Sequence, residues 1–344
     1  YVRWDDRKPI DHNMADFKTV FVPTAGGGFF NIKSADIVIS DTLWTIAPDN
    51  LIHFDYGRIN FQNFNLQSKE QRFTANGQLP FNESDTLQAN FKDFDISDFD
   101  FLFSGLDLDG FINGNVVLGS LNANPYILAN LGVKEFGLNK EPLGDIEIDS
   151  YWDNEDNSIY IDASLYEQEN SIFKLSGNYG TKRNDNLDFR LLLNGLRLNT
   201  LSPFTQSLIT RLQGMGKGDL TIKGSLKKPV IEGDLNIVDG GCQINYLKTF
   251  YTFNPTIKFS ENLIELNNLV LHDTLGHTAR VIGDIRHKYL KDFQFNITLL
   301  PKEFLAMQTT LKDSPSYYGT AVADGMVKIS GPLSDIGLAI KVLT

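Results

Sequence analysis

Alternation with a period of two dominates this chain. In DFQFNITL, Phe293, Phe295, Ile297 and Leu299 fall on one side, with Gln294, Asn296 and Thr298 on the other. In LDFRLLL, Leu187, Phe189, Leu191 and Leu193 alternate with Asp188 and Arg190. Leu220 and Ile222 share a face opposite Thr221 and Lys223, and Ile231, Leu235 and Ile237 continue it, with Glu232, Asp234 and Asn236 outside. Successive side chains of a strand point to opposite faces, so the pattern predicts an antiparallel sheet with one apolar and one wetted face. Roughly 22 segments read this way. Asn76-Gly77, Asp109-Gly110, Asp239-Gly240-Gly241 and Asp324-Gly325 carry turn chemistry and are expected to separate strands. Short helices are expected at Ser97–Gly105, at Ser202–Leu212 and at Pro301–Leu311. In the second, Ser202 caps, Pro203 takes the first helical position, and Phe204, Leu208 and Leu212 form one stripe. In the third, Phe304, Leu305 and Met307 or Leu311 form the buried side. Each helix is expected to pad the apolar face beside it.

The same landmarks recur along the chain. Gly119, Gly224 and Gly331 stand 105 and 107 residues apart in NGNVVLGSL, KGDLTIKGSL and DGMVKISGPL. Gly77, Gly177 and Gly283 stand 100 and 106 apart, and the three helical patterns keep a similar interval. Residues 1–110 are read as an incomplete first repeat, 111–215 as the second and 216–344 as the third. Alternation runs from one copy into the next, from Leu121 through Gly137 into Ile146 and Ile148, without a Pro- or Ser-rich linker. That favours one continuous sheet curled into an open groove over separate sandwiches strung together.

Composition narrows the chemistry. The 344 residues carry a net charge of −12, which argues against nucleic acid, because phosphate binding needs clustered Lys and Arg. Cys242 is the single cysteine, so no disulfide forms within the chain. Gly214-Met215-Gly216-Lys217-Gly218 imitates a phosphate loop, yet a strand follows it and Gly218 stands where Ser or Thr belongs. Ala25-Gly26-Gly27-Gly28 reads as a bend between extended segments. His272, Asp273 and His277 are spaced for a metal, but the equivalent repeat positions carry no histidine, and Asp273 to Gly276 reads as a hairpin turn. Asp107-Leu108-Asp109-Gly110 has Gly105 where the first calcium ligand belongs and Val116 where the closing Glu belongs. No nucleophile motif appears, and Cys242 reads as a small half-buried thiol. No enzyme and no cofactor is expected.

The order of several motifs then points to a family. Gly216-Lys217-Gly218-Asp219-Leu220 leads into Gly224-Ser225-Leu226 and Pro229, followed by Asp239-Gly240-Gly241 and by Tyr246-Leu247-Lys248-Thr249-Phe250-Tyr251-Thr252-Phe253. Ile264 to Leu271, Asp273-Thr274-Leu275-Gly276, Tyr318-Gly319-Thr320-Ala321 and Ile329-Ser330-Gly331-Pro332 complete the series. From Gly214 to Thr344 the chain resembles the TamB family, the inner-membrane component of the translocation and assembly module and a relative of the AsmA-like proteins. The resemblance implies a long β-groove in the periplasm, anchored to the inner membrane by a segment outside this chain. It implies phospholipids as cargo and an outer-membrane barrel of the TamA or TamL type as partner. The opening residues YVRWDDRKPI are not a signal peptide, and the chain reads as a middle length of something longer.

The leading expectation is a conduit with acyl chains lying along the apolar face. The residues expected there are Leu187, Phe189, Leu191, Leu220, Ile222, Leu235, Ile237, Ile264, Leu266, Phe293, Phe295, Ile297, Leu299, Val327 and Ile329. The alternative is a scaffold whose sheet edge pairs with unfolded outer-membrane proteins. A spacer with a closed core is the third.

Overall fold

The alternation folds as strands throughout. The computed structural model describes residues 1–7, 12–79, 85–98, 107–119, 126–181, 186–205, 208–266 and 269–343. Among these are twenty-five strands, and each ladder given below runs antiparallel. Contact density divides the chain into two units, residues 1–171 with 178–182, and residues 172–177 with 183–344.

The first unit holds β1 (Val2–Asp5), β2 (Met14–Thr24), β3 (Gly27–Ile39), β4 (Thr42–Ile46), β5 (Leu51–Asp55) and β6 (Arg58–Ser68). It continues through β7 (Gln71–Leu79), β8 (Thr86–Asp95), β9 (Leu108–Gly119), β10 (Tyr126–Leu138), β11 (Glu141–Asp153) and β12 (Ser158–Glu167). Neighbours in sequence pair in space, with one fork: the short β4 and β5 lie end to end between β3 and β6. At the break between them the β3 backbone loses its ladder partner. Asn50, fully buried, fills the gap: its Oδ1 accepts the Ile32 N–H at 3.0 Å and its Nδ2 donates to the Ile32 carbonyl at 2.7 Å. A buried backbone pair left bare costs about 1–3 kcal/mol per group, so one amide side chain stands in for a missing strand residue.

β13 (Asn170–Gly180) contributes residues to both units. The second unit continues with β14 (Leu187–Arg197), β15 (Ile209–Ser225), β16 (Lys228–Ile244), β17 (Thr249–Phe253), β18 (Thr256–Ser260) and β19 (Leu263–Glu265). It ends with β20 (Leu269–His272), β21 (Thr278–Lys288), β22 (Lys291–Lys302), β23 (Phe304–Thr309), β24 (Gly319–Pro332) and β25 (Gly337–Leu343). It has the same kind of fork: β17 and β18 both lie along β16. At that break the Ile237 N–H reaches the Pro255 carbonyl at 2.9 Å, and the Asp239 N–H reaches Asn254 Oδ1 at 2.6 Å.

Three of the recurring glycines share one backbone geometry, which other strand glycines such as Gly114 and Gly233 show as well. Gly77, Gly177 and Gly283 each adopt positive φ, at 109°, 150° and 145°. A Cβ added there would stand 2.2, 2.1 and 2.1 Å from the carbonyl oxygens of Thr86, Asp188 and Asn296. Only glycine lets the next strand come that close in that conformation.

Several expectations are corrected. Asn76-Gly77, Asp109-Gly110, Asp239-Gly240-Gly241 and Asp324-Gly325 lie inside β7, β9, β16 and β24, and do not separate strands. Gly77, Gly110, Asp239 and Gly325 hold positive φ, so the residues that look like turn formers instead bend strands that continue through them. Pro301–Leu311 is not a helix. β22 runs to Lys302, the chain breaks at Glu303 (φ 49°), and β23 resumes pairing along the same β24. Ser202–Leu212 keeps one helical turn, Ser202–Thr205, before β15 begins at Ile209. Ser97–Gly105 lies mostly outside the described residues. Ala25-Gly26 and Asp273–Gly276 do connect strands, β2 to β3 and β20 to β21.

Replacing Gly283 with valine should lower the unfolding free energy by about 2–4 kcal/mol, because strained φ and backbone collision add. Gly276 (φ 89°) has open space around it, so Gly276→Ala should cost only about 1 kcal/mol. Urea unfolding of the two variants measures the difference.

Candidate functional site

Strand register assembles the apolar residues into rows. In the second unit one row crosses eight strands: Leu191, Leu220, Gly233, Phe259, Ile264, Ile285, Phe295 and Gly331 are successive directly opposed partners. Phe189, Ile222 and Ile231 form a shorter row beside it. Leu269, Val281, Leu299, Val327 and Ile340 form another, and Ile297 pairs Ile329. Leu187 opposes Gly224, Leu235 opposes Ile257, and Ile237 opposes Gly216. Leu266 follows β19 with its N–H on the Gly283 carbonyl, and Phe293 packs 6.0 Å from the His287 ring. The residues expected on the apolar face thus occupy one side of their strands.

Sequence reasoning placed no candidate in the first unit, yet the same construction is there. Leu66, Phe73, Phe91, Gly114, Leu131, Ile148 and Ala163 are successive partners across seven strands. Phe73 and Phe91 lie 5.1 Å apart, and Phe94 bridges to the fully buried Trp44 at 5.3 Å. The available signal was the alternation in QRFTANGQL and in LQANFKDF. Cross-strand aromatic and aliphatic pairs contribute about 0.2–1 kcal/mol each.

These rows are incompletely covered. Phe189, Leu220, Ile237 and Ile297 are buried; the other eleven expected residues are half-buried. The chain exposes 19817 Å², whereas two compact proteins of half its mass would together expose about 17,000 Å². The opposite face carries exposed pairs such as Arg190–Asp219 and Lys134–Asp145, along with a few exposed apolar side chains such as Tyr151 and Ile282. Such pairs align strands more than they stabilise them.

Covering occurs where β23 folds against β17. Tyr251 and Phe304 stack at 4.8 Å, with Ala279 fully buried beside them. The Tyr251 hydroxyl donates to the Leu305 carbonyl at 3.1 Å and accepts from Thr249 at 2.7 Å. Burial pushes its pKa up to about 12. Asp273 anchors this segment from the β20–β21 turn. One carboxylate oxygen accepts the N–H groups of Leu275 at 2.9 Å and His277 at 2.8 Å, and the other accepts that of Leu305 at 2.7 Å. Burial raises the Asp273 pKa, but these three donors outweigh it and the net shift is downward.

That geometry gives Asp273 of the His272, Asp273 and His277 motif a structural task, since both of its oxygens are engaged by backbone N–H groups. Gly214 to Gly218 runs inside β15, and Leu108 to Gly110 opens β9, so neither forms an ion-binding loop. Cys242 is buried, and desolvation raises its pKa to about 11, leaving a protonated thiol. Asp5, Asp6 and His12 bring ligand atoms within 4.8 Å of one another, a grouping that sequence spacing does not show. His12 Nε2 is hydrogen-bonded to Asp5 at 3.0 Å, and Asn13 donates to Asp6 at 3.0 Å. Among the described residues no helix is long and apolar enough to cross a membrane.

No family model, curated protein or solved structure matches the chain.

Asp273→Asn should destabilise the chain by about 1–3 kcal/mol at neutral pH, because an amide satisfies fewer of the three donors. The folded-state pKa lies below the ordinary 3.8, so the carboxylate's contribution is present above that value and is lost as pH falls through the folded pKa. Unfolding of the two proteins at neutral and strongly acidic pH should therefore differ at the first and converge at the second.

Proposed function

We propose that the protein is a non-enzymatic carrier of acyl chains, which lie along the apolar rows while polar headgroups stay at the sheet margins. The observation that carries this reading is an apolar face sustained over seven and eight strands whose side chains remain mostly half-buried. A filled core of that extent would bury them. Branched aliphatics and phenylalanines without interspersed charge suit alkyl chains, which need contact area and no directed hydrogen bonds. The resemblance of Gly214–Thr344 to the TamB family supports phospholipids as the cargo. It also supports the periplasm, with transport between inner and outer membrane, as the setting.

Phe295→Asp distinguishes a carrier from a sealed spacer. In a carrier the new carboxylate hydrates, so the unfolding midpoint stays near that of the parent while binding of a fluorescent fatty acyl probe falls about tenfold or more. In a sealed core the same change costs several kcal/mol and unfolds the chain. Retained probe binding in a folded variant would remove the carrier reading.

A further inference from the structure

One hairpin of the first unit departs from the alternation. From Thr19 to Ile32 the chain carries no charged side chain, and Lys18 and Lys33, both exposed, bound the run. It folds as the adjoining ends of β2 and β3 with the turn between them, and Val20 to Gly26 are all exposed. Register assigns the two sides. Phe21 opposes Phe30, Phe30 opposes Ile52 and Ile52 opposes Phe61, so these four share one side. Val22 opposes Phe29 on the other side, where Val20 also lies. A half-wetted sheet keeps one side for water; this hairpin end is apolar on both. Phe21 is 47% exposed and Val22 52%.

The end is held in shape by its neighbours. Tyr56, in the β5–β6 turn, donates its N–H to the Gly26 carbonyl at 3.2 Å, which ties two turns together. The Tyr56 ring lies against Gly26, where an added Cβ would stand 2.4 Å from it, and the Phe21 ring lies on Gly28, where the gap would be 2.2 Å. Phe30 stands 4.8 Å from Phe21 and 5.5 Å from Phe54. Beside Tyr56, Asp55 and Arg58 neutralise each other at 3.2 Å.

These features suit one kind of partner. A protein groove covers one side of a strand, whereas fluid lipid meets a hairpin end on both sides and around its turn. The outer edge of β2 from Lys18 to Thr24 has no strand paired to it among the described residues. Pro23 lies within that edge and has no N–H, which disfavours the addition of a further strand. Val20 is four residues from Thr24, about 13 Å at the rise of a strand. Lys18 stands two residues further back, at the height where a long lysine stem carries its ammonium to a headgroup. Tyr56, 77% exposed, has the apolar ring and polar tip that favour a water–lipid boundary.

We propose that this hairpin end docks the protein on a phospholipid bilayer, with Val20, Phe21, Val22 and Phe29 entering the acyl boundary and Lys18 and Lys33 meeting lipid phosphates. Docking goes beyond the acyl-carrier reading and stands independently of it, because the hairpin lies outside the rows on which that reading rests.

Flotation of the purified chain with vesicles of phosphatidylethanolamine and phosphatidylglycerol tests the inference. The parent chain should float with them. Val20→Ser with Val22→Ser leaves the aromatic cluster untouched and should lower vesicle binding about tenfold or more at an unchanged unfolding midpoint. Phe21→Ser should lower it as well. Lys18→Gln with Lys33→Gln should cost about tenfold, through lost attraction to the headgroups. Leu338→Ser with Ile340→Ser, on the exposed strand β25, should leave vesicle binding unchanged. A parent chain that fails to float, or hairpin variants that float as the parent does, would overturn the docking site. Equal loss from the β25 pair would overturn its assignment to the hairpin. Self-association that the Val20 and Val22 changes abolish, without vesicle binding by the parent, would place a second copy on this surface and overturn the bilayer. Acyl-probe binding that persists in a chain that fails to float would leave the carrier reading standing.

Discussion

A strand displaced by one residue exchanges its two faces, and everything described for this chain depends on that exchange never happening. Leu191 meets Leu220, Ile264 meets Ile285 and Ile285 meets Phe295 because each ladder is held in one register. A single slip would place Arg190, Lys223 or Gln294 among the apolar rows. Several features resist it. Positive-φ glycines such as Gly77 and Gly283 accept a neighbouring carbonyl only at one position. Asn50 fits one gap in the β3 ladder, and the Arg190–Asp219 pair joins one pair of opposed strands on the wet face.

Maintaining register also determines where the apolar face is covered. β22 and β23 both pair with β24, but the break at Glu303 turns the second half toward β17. Phe304 then stacks on Tyr251, and Asp273 binds the Leu305 N–H. Elsewhere the corresponding rows stay half-buried. An apolar surface of this extent retains a hydrophobic free energy that a ligand can still collect, and that surplus is the physical basis of the carrier reading.

Much of this was legible in the sequence because its period is so regular. Phe293, Phe295, Ile297 and Leu299 announce their shared side directly. What misled was local chemistry whose meaning depends on the neighbouring strand. Asp-Gly and Asn-Gly are turn formers in isolation, yet Gly77 and Gly325 are required in mid-strand, where an adjacent carbonyl leaves no room for Cβ. Pro301 to Leu311 has helical spacing, but β24 offers its backbone a ladder, and tertiary pairing overrides the local preference.

If the protein carries acyl chains, the two faces of each strand meet different partners, alkyl chains on one and water on the other. Photo-crosslinking with benzoylphenylalanine at Ile222 and Phe295, and at their neighbours Thr221 and Gln294, tests it residue by residue in chain incubated with radiolabelled phospholipid. Crosslinks to acyl chains are expected from Ile222 and Phe295 and none from Thr221 and Gln294. Equal yields from both pairs, or crosslinks from Ile222 and Phe295 only into the protein itself, would contradict it.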